Sequence, residues 1–247
     1  IAAGAVGITC AKVGEAEIMV DEAGVEDVLL AYPVIGEPKY RRIVELMERA
    51  RIAVAVDSLD AAKAMSAAMA RHDRTLDIYI EINTGQNRSG VMVGDEAVQF
   101  AQDVQRQRNL RLVGIMTHEG HVNSLGPDKI EAAAIEAGKK MVDTAEAIRA
   151  HGIELPVVSV GSTPAARITP TVKGVTEMRP GTYVFNDNSL LRFGDQWKVE
   201  DCAARFVATV VSRTAPDRCV LDTGSKSLAM DPSKAHEGHG YIVGHPD

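Results

Sequence analysis

With 247 residues, 45% of them apolar and 25% charged, the chain is long enough for one large domain or for one domain and part of another. A net charge of −7 argues against nucleic acid or an anionic membrane as the main partner, and no apolar stretch reaches the ~20 residues of a bilayer span. Cys10, Cys202 and Cys219 are few and widely spaced, and no signal peptide is visible, so a reduced, cytoplasmic setting is expected.

Seven apolar runs of strand length follow one another, at residues 7–10, 28–32, 52–56, 76–82, 112–117, 157–160 and 176–178. Segments with helical spacing separate most of them, among them 40–51 (Ile43, Leu46, Met47, Ala50), 58–71 and 129–151. Ser58-Leu-Asp-Ala and Gly94-Asp-Glu-Ala carry the capping or early acidic residues of helix starts, and Gly152 after His151 reads as a helix stop. The link 163–175 has the weakest helical pattern.

Strands alternating with helices predict a parallel sheet with helices outside it. A closed (β/α)8 barrel needs eight units, whereas seven are visible, and the chain opens on Ile1-Ala-Ala-Gly-Ala-Val-Gly like a helix end leading into a strand. The expectation is an α/β, TIM-type barrel whose first strand lies upstream of residue 1; an open doubly wound sheet is the alternative. After Asp187 the pattern changes, because 204–212 and 218–222 are β-rich and flank the turn-like Ala215-Pro-Asp with no helix between. The expected organisation is a barrel domain at 1–190, lacking its first strand, and a partial antiparallel β domain at 191–247.

The loops after the strands carry the chemistry-bearing residues. The run 76–82 leads into Asn83-Thr-Gly-Gln-Asn-Arg-Ser-Gly90, a Gly-rich strand-to-helix loop. Ligands of parallel βα folds sit at the carboxyl ends of strands, so the Arg88 fork would suit an anion or an acidic ring oxygen there. The run 112–117 ends in His118-Glu-Gly-His121. Two histidines three apart could ligate a metal, but the order differs from the zinc-protease helix. A strand-end His118 beside a cofactor, stacking or carrying a proton, is preferred, and His121 bonding loop backbone stays equally open.

Gly161, Ser162 and Thr163 follow the run 157–160, small residues whose backbone N–H groups and hydroxyls can converge on an anion. The next strand leads into Arg179-Pro-Gly-Thr-Tyr183, bringing Gly181, Thr182 and Tyr183. Two adjacent small-residue loops after the last strands match the phosphate site of barrel enzymes. His236-Glu-Gly-His-Gly240 reads as a turn with exposed histidines, and Lys226 as a loop residue.

Six motifs occur in order: 7–17, 81–90, Thr117-His-Glu-Gly-His121, Ser159-Val-Gly-Ser-Thr-Pro164, Arg179-Pro-Gly-Thr-Tyr183 and Leu221-Asp-Thr-Gly-Ser-Lys226. Together they resemble the D-threonine aldolase and D-serine dehydratase family, a branch of the alanine-racemase-type (fold type III) pyridoxal phosphate enzymes. The resemblance implies a barrel plus a β domain, with pyridoxal 5′-phosphate at the carboxyl end of the strands. Arg88 would face the phenolic oxygen of the cofactor and His118 would lie near its ring, the two being the catalytic candidates. Thr163, Gly181 and Thr182, with Gly161, Ser162 and Tyr183 beside them, would hold the phosphate.

The same resemblance implies a lyase for D-amino acids with a β-hydroxyl, working by retro-aldol cleavage or by elimination. A racemase on the same scaffold and a non-catalytic cofactor-binding protein are the alternatives. Its anchoring lysine belongs on the first barrel strand, and a divalent metal, zinc or manganese, is expected outside this chain, so no metal ligand is assigned here. Relatives carry tyrosines at Met116 and Asn123 and, in some aldolases, a histidine base at Val122. Lys12 is not taken as a substitute for the missing lysine. A monomer or a homodimer is implied.

Overall fold

Residues 76–83, Leu-Asp-Ile-Tyr-Ile-Glu-Ile-Asn, alternate aliphatic side chains with larger or polar ones, and both faces are buried. Such a strand can only sit at the middle of a covered parallel sheet. In the computed structural model it does so, as the fourth strand of an ordered series. The structure describes residues 1–193, 197–229 and 239–244, so His236, Glu237 and Gly238 of the second His-Glu-Gly-His lie outside the described residues. The chain divides into two compact units, Ile1–Pro180 and Gly181–Asp247.

In the first unit the strands β1 (Ile8–Cys10), β2 (Asp27–Leu30), β3 (Arg51–Val56), β4 (Leu76–Asn83), β6 (Leu110–Met116), β7 (Val157–Val160) and β8 (Glu177–Met178) pair in that order, all parallel. A two-residue strand, β5 (Val91–Met92), pairs with the end of β4. The helices α1 (Val13–Asp21), α2 (Glu37–Leu46), α3 (Leu59–Arg71), α4 (Asp95–Gln105) and α5 (Pro127–Ala150) connect them. This is the expected βα series, an open-ended TIM-type barrel sheet among the described residues.

The period of the strands sorts the core into two layers. Ile78, Ile80 and Ile82 pack with Met65, Met69, Phe100 and Met141 of the helices. Leu29, Ala53, Ala55, Tyr79, Val113 and Met116 form a separate cluster. The alanines of β3 let neighbouring strands close around the larger Tyr79 and Met116.

At the starts of the strands lies a belt of alternating charge. Arg51 donates to Asp27 at 2.8 Å and to Asp77 at 2.9 Å, and Arg111 donates to the other oxygen of Asp77 at 2.6 Å. Asp77 is buried, and its two arginines reach toward solvent.

Several local expectations are corrected. Ser58 has the extended backbone of an N-cap, but its side chain makes no cap hydrogen bond; its carbonyl accepts from Ala62 N–H at 3.0 Å instead. The link 163–175 is a series of turns with one 3₁₀ helix, Thr169–Thr171. Helix α1 buries a short apolar face, Val13, Ala16 and Val20.

In the second unit, 3₁₀ turns at Thr182–Val184, Asn188–Phe193 and Val199–Asp201 precede an antiparallel pair, β9 (Val210–Ala215) and β10 (Arg218–Leu221). The expected strand at 204–212 therefore begins only at Val210. Ala203 N–H donates to Phe185 O at 2.8 Å, and the Thr209 and Asp222 backbones and the Asp222 carboxylate tie residues 209 and 222 together. Among the described residues no helix is long and apolar enough to cross a membrane.

Candidate functional site

The carboxyl ends of β4, β6, β7 and β8 bring most of the nominated residues of the first unit together. The loop after β4 is built on Asn83. Its Oδ1 accepts from Gly85 N–H at 3.0 Å and Asn87 N–H at 3.2 Å, and its Nδ2 donates to Asn87 Oδ1 at 3.0 Å. Gly90 closes the loop at φ 98°, and a β-carbon there would meet Asn83 N at 2.8 Å and Ile82 C at 2.9 Å. Only glycine suits both the left-handed backbone and that approach.

Arg88 stands on this loop, 57% exposed, with its guanidinium 4.0 Å from Glu81. Glu81 is buried and accepts from Ser89 Oγ at 2.8 Å. Burial raises its pKa, opposed by the Ser89 hydrogen bond and the charge of Arg88. Arg88 is thus loosely held and free to donate to an incoming acceptor.

After β6, His118 Nδ1 lies 2.7 Å from Gly161 O. A carbonyl only accepts, so Nδ1 carries the proton and Nε2 of the neutral ring offers its lone pair. Burial lowers the proton affinity of His118, and the charges of Arg88 and Arg179 reinforce this against the Gly161 contact and Glu119. The ring is accordingly neutral near pH 7. His121 is half-buried, its Nδ1 has no hydrogen-bond partner among the described residues, and burial lowers its pKa as well.

Glu119, 1% exposed, accepts from Gly161 N–H at 2.9 Å. Gly161 itself has no space for a side chain, since a β-carbon would stand 2.9 Å from Arg179 O. Ser162 and Thr163 are buried, and both hydroxyl oxygens lack a hydrogen-bond partner among the described residues. Buried polar atoms are rarely left so, and an acceptor-rich group such as phosphate would satisfy both.

Arg179, from the motif Arg179-Pro-Gly-Thr-Tyr183, ties neighbouring strand ends together. Its Nε donates to Ser159 Oγ at 2.8 Å, and another nitrogen donates to the Thr117 carbonyl. Ser159 in turn donates to Glu177 at 2.5 Å. The residue is half-buried, yet its guanidinium is shielded from water: burial lowers its pKa against Glu119, Glu177, Glu81 and Tyr79. Its partners lie 20 and 62 residues away, and Glu119 pairs with a glycine 42 residues on, so neither role is written in local sequence.

Gly181, Thr182 and Tyr183 belong to the second unit, where they are exposed and open the turn Thr182–Val184. Met116 is fully buried within the sheet, and Val122 is buried against Ala134 and Ala165.

Comparison with known proteins is consistent along the chain. Residues 1–189 match the family model described as alanine racemase, N-terminal domain, and residues 203–247 match the putative serine dehydratase domain. D-threo-3-hydroxyaspartate dehydratase from Delftia sp. (strain HT23) is 34% identical over 98% of this chain and 64% of its own length. A solved D-threonine aldolase from Filomicrobium marinum, also 34% identical, superposes over 94% of this chain and 63% of its own with a TM-score of 0.84. A mutant of D-threo-3-hydroxyaspartate dehydratase, solved in the metal-free form, gives a TM-score of 0.83 at 34% identity, covering 96% of this chain and 62% of its own. The chain thus spans less than two thirds of the length of these relatives. It belongs to the alanine racemase N-terminal domain family, in the branch of fold type III pyridoxal phosphate enzymes that contains the D-threonine aldolases and D-serine dehydratases.

Proposed function

We propose that the chain forms the cofactor-binding part of a pyridoxal 5′-phosphate lyase acting on D-amino acids with a β-hydroxyl, by retro-aldol cleavage or by elimination. The observation that carries this reading is the pair of buried hydroxyls on Ser162 and Thr163, unpartnered among the described residues, beside a glycine with no room for a side chain. They fit a phosphate that supplies the missing acceptors. When bound, the cofactor supplies an electron sink for the carbanion formed at the substrate.

The side chains of the chain do the rest. Arg88 presents two parallel N–H donors to an acidic ring oxygen, with buried Glu81 4.0 Å from its guanidinium. His118 lies at the adjacent strand end with a neutral ring whose Nε2 can accept or pass a proton. The loop Gly161–Thr163 anchors the anion, and motif resemblance assigns Gly181, Thr182 and Tyr183 to the same group. Among the described residues no three His, Cys, Asp or Glu side chains converge to hold a metal, so no step is assigned to one. The relative solved in a metal-free form makes zinc or manganese dependence worth measuring.

The test uses the full-length protein. It should take up pyridoxal 5′-phosphate with visible absorption. It should release an aldehyde from D-threonine or a keto acid from D-serine, in assays with and without divalent zinc or manganese. Absence of cofactor uptake would overturn the reading; interconversion of D- and L-alanine without lyase activity would reassign it to a racemase.

A further inference from the structure

The backbone of Gly161 is held on both sides by consecutive residues of the loop after β6. Its N–H donates to Glu119 Oε2 at 2.9 Å, and its carbonyl accepts from His118 Nδ1 at 2.7 Å. Glu119 is 1% exposed, so its carboxylate is removed from water and must be compensated where it lies. Two groups do this, the Gly161 N–H and the nearby Arg179 charge. Arg179 also binds Ser159 Oγ and the Thr117 carbonyl, tying the ends of β6, β7 and β8. Ser162 and Thr163 follow directly on the clamped residue.

We propose that Glu119 is a positioning residue that sets the Gly161–Thr163 loop for an anionic phosphate, by fixing the Gly161 N–H through a buried hydrogen bond. The claim rests on the cofactor reading above but adds a residue that reading does not use. A hydrogen bond of this kind is directional and short-ranged. What counts is an acceptor oxygen at the right reach, not the charge alone. Glu119→Gln keeps an acceptor at the same reach, Glu119→Asp keeps the charge but withdraws it by one methylene, and Glu119→Ala leaves a buried N–H without a partner.

Two measurements on the full-length protein test this. Hydrogen exchange of the peptide spanning 158–165 reports the clamp itself, without any ligand. Exchange should be faster in Glu119→Ala and Glu119→Asp, and close to the wild-type rate in Glu119→Gln. The second measurement is the affinity of the stripped protein for pyridoxal 5′-phosphate relative to pyridoxal, which has no phosphate. Glu119→Ala and Glu119→Asp should reduce that preference about tenfold, the scale of losing one buried hydrogen bond, and Glu119→Gln should largely retain it.

Unchanged exchange in Glu119→Ala, or an undiminished preference for the phosphorylated form, overturns the proposal. So does the inverse ranking, with Asp behaving as wild type and Gln as Ala, because that would make the charge decisive. If Glu119→Ala does not fold, the Gln and Asp variants still decide. A wild-type protein with no preference for the phosphorylated form refutes the phosphate reading separately, while exchange still reports on the clamp.

Discussion

The Nδ1 atom of His118 stands 2.7 Å from the carbonyl oxygen of Gly161, and this contact fixes which ring nitrogen holds the proton. The tautomer is therefore set by the backbone of the loop after β7 before any substrate arrives. Nε2 is left as the ring's proton acceptor.

That ring should also leave a mark on acid stability. The proton affinities of His118 and His121 are both depressed by burial from the ordinary value of 6.5. As pH falls through that value the unfolded chain takes up protons first, so stability present above it is lost toward the lower native values. The thermal midpoint should drop as pH is lowered from 7.5 to 5, and less steeply in His118→Asn. Parallel curves for the two proteins would contradict this account.

Arg88→Ala should separate activity from folding. The side chain is 57% exposed and reaches Glu81 only at 4.0 Å, so its loss should change stability by no more than about 0.5 kcal/mol. Turnover should fall by about a hundredfold if the fork binds an acidic oxygen that gains charge during reaction. Steady-state rates beside a urea melt check both halves, and near-wild-type turnover would refute the role given to Arg88.

Gly90→Ala should act on the same loop through the backbone. The residue has φ 98°, and the added carbon would lie within 3.0 Å of Asn83 N, Ile82 C and Glu81 O. Strain of this kind costs roughly 1–3 kcal/mol and is relieved only by shifting the loop that carries Arg88. Denaturant midpoint and turnover should fall together, unlike in Arg88→Ala.

Asp77→Ala should do the reverse. It removes the shared acceptor of Arg51 and Arg111 at the far end of the strands. Both arginines can turn to water, which limits the loss to roughly 1–3 kcal/mol. KM and kcat should stay at wild-type values in the folded protein, and a change in either would link the belt to the site.

The parallel sheet was legible because β3, β4 and β6 are apolar runs of strand length, bounded by turn residues and separated by helical periodicity. Arg88, His118 and Ser162–Thr163 could be nominated because strand ends in such folds point at ligands. Glu119 and Arg179 escaped, since their partners are brought close only by strand pairing across 20 to 62 residues. The cap at Ser58 failed for a local reason: an extended backbone allows a side-chain bond without requiring one. The β-rich run 204–212 shows that propensity alone does not make a strand before a partner pairs with it; only from Val210 does β10 supply one.

The charged belt at the strand entrances acts as a vernier. Because side chains alternate faces, sliding β3 by a single residue would swing Arg51 away from Asp27 and Asp77 and leave the buried Asp77 carboxylate with Arg111 alone. Apolar strands such as Ile52–Val56 would tolerate several alignments on oiliness alone. The acidic and basic pegs exclude the off-by-one sheets, and so hold the loop-bearing rim at the opposite ends to a single height.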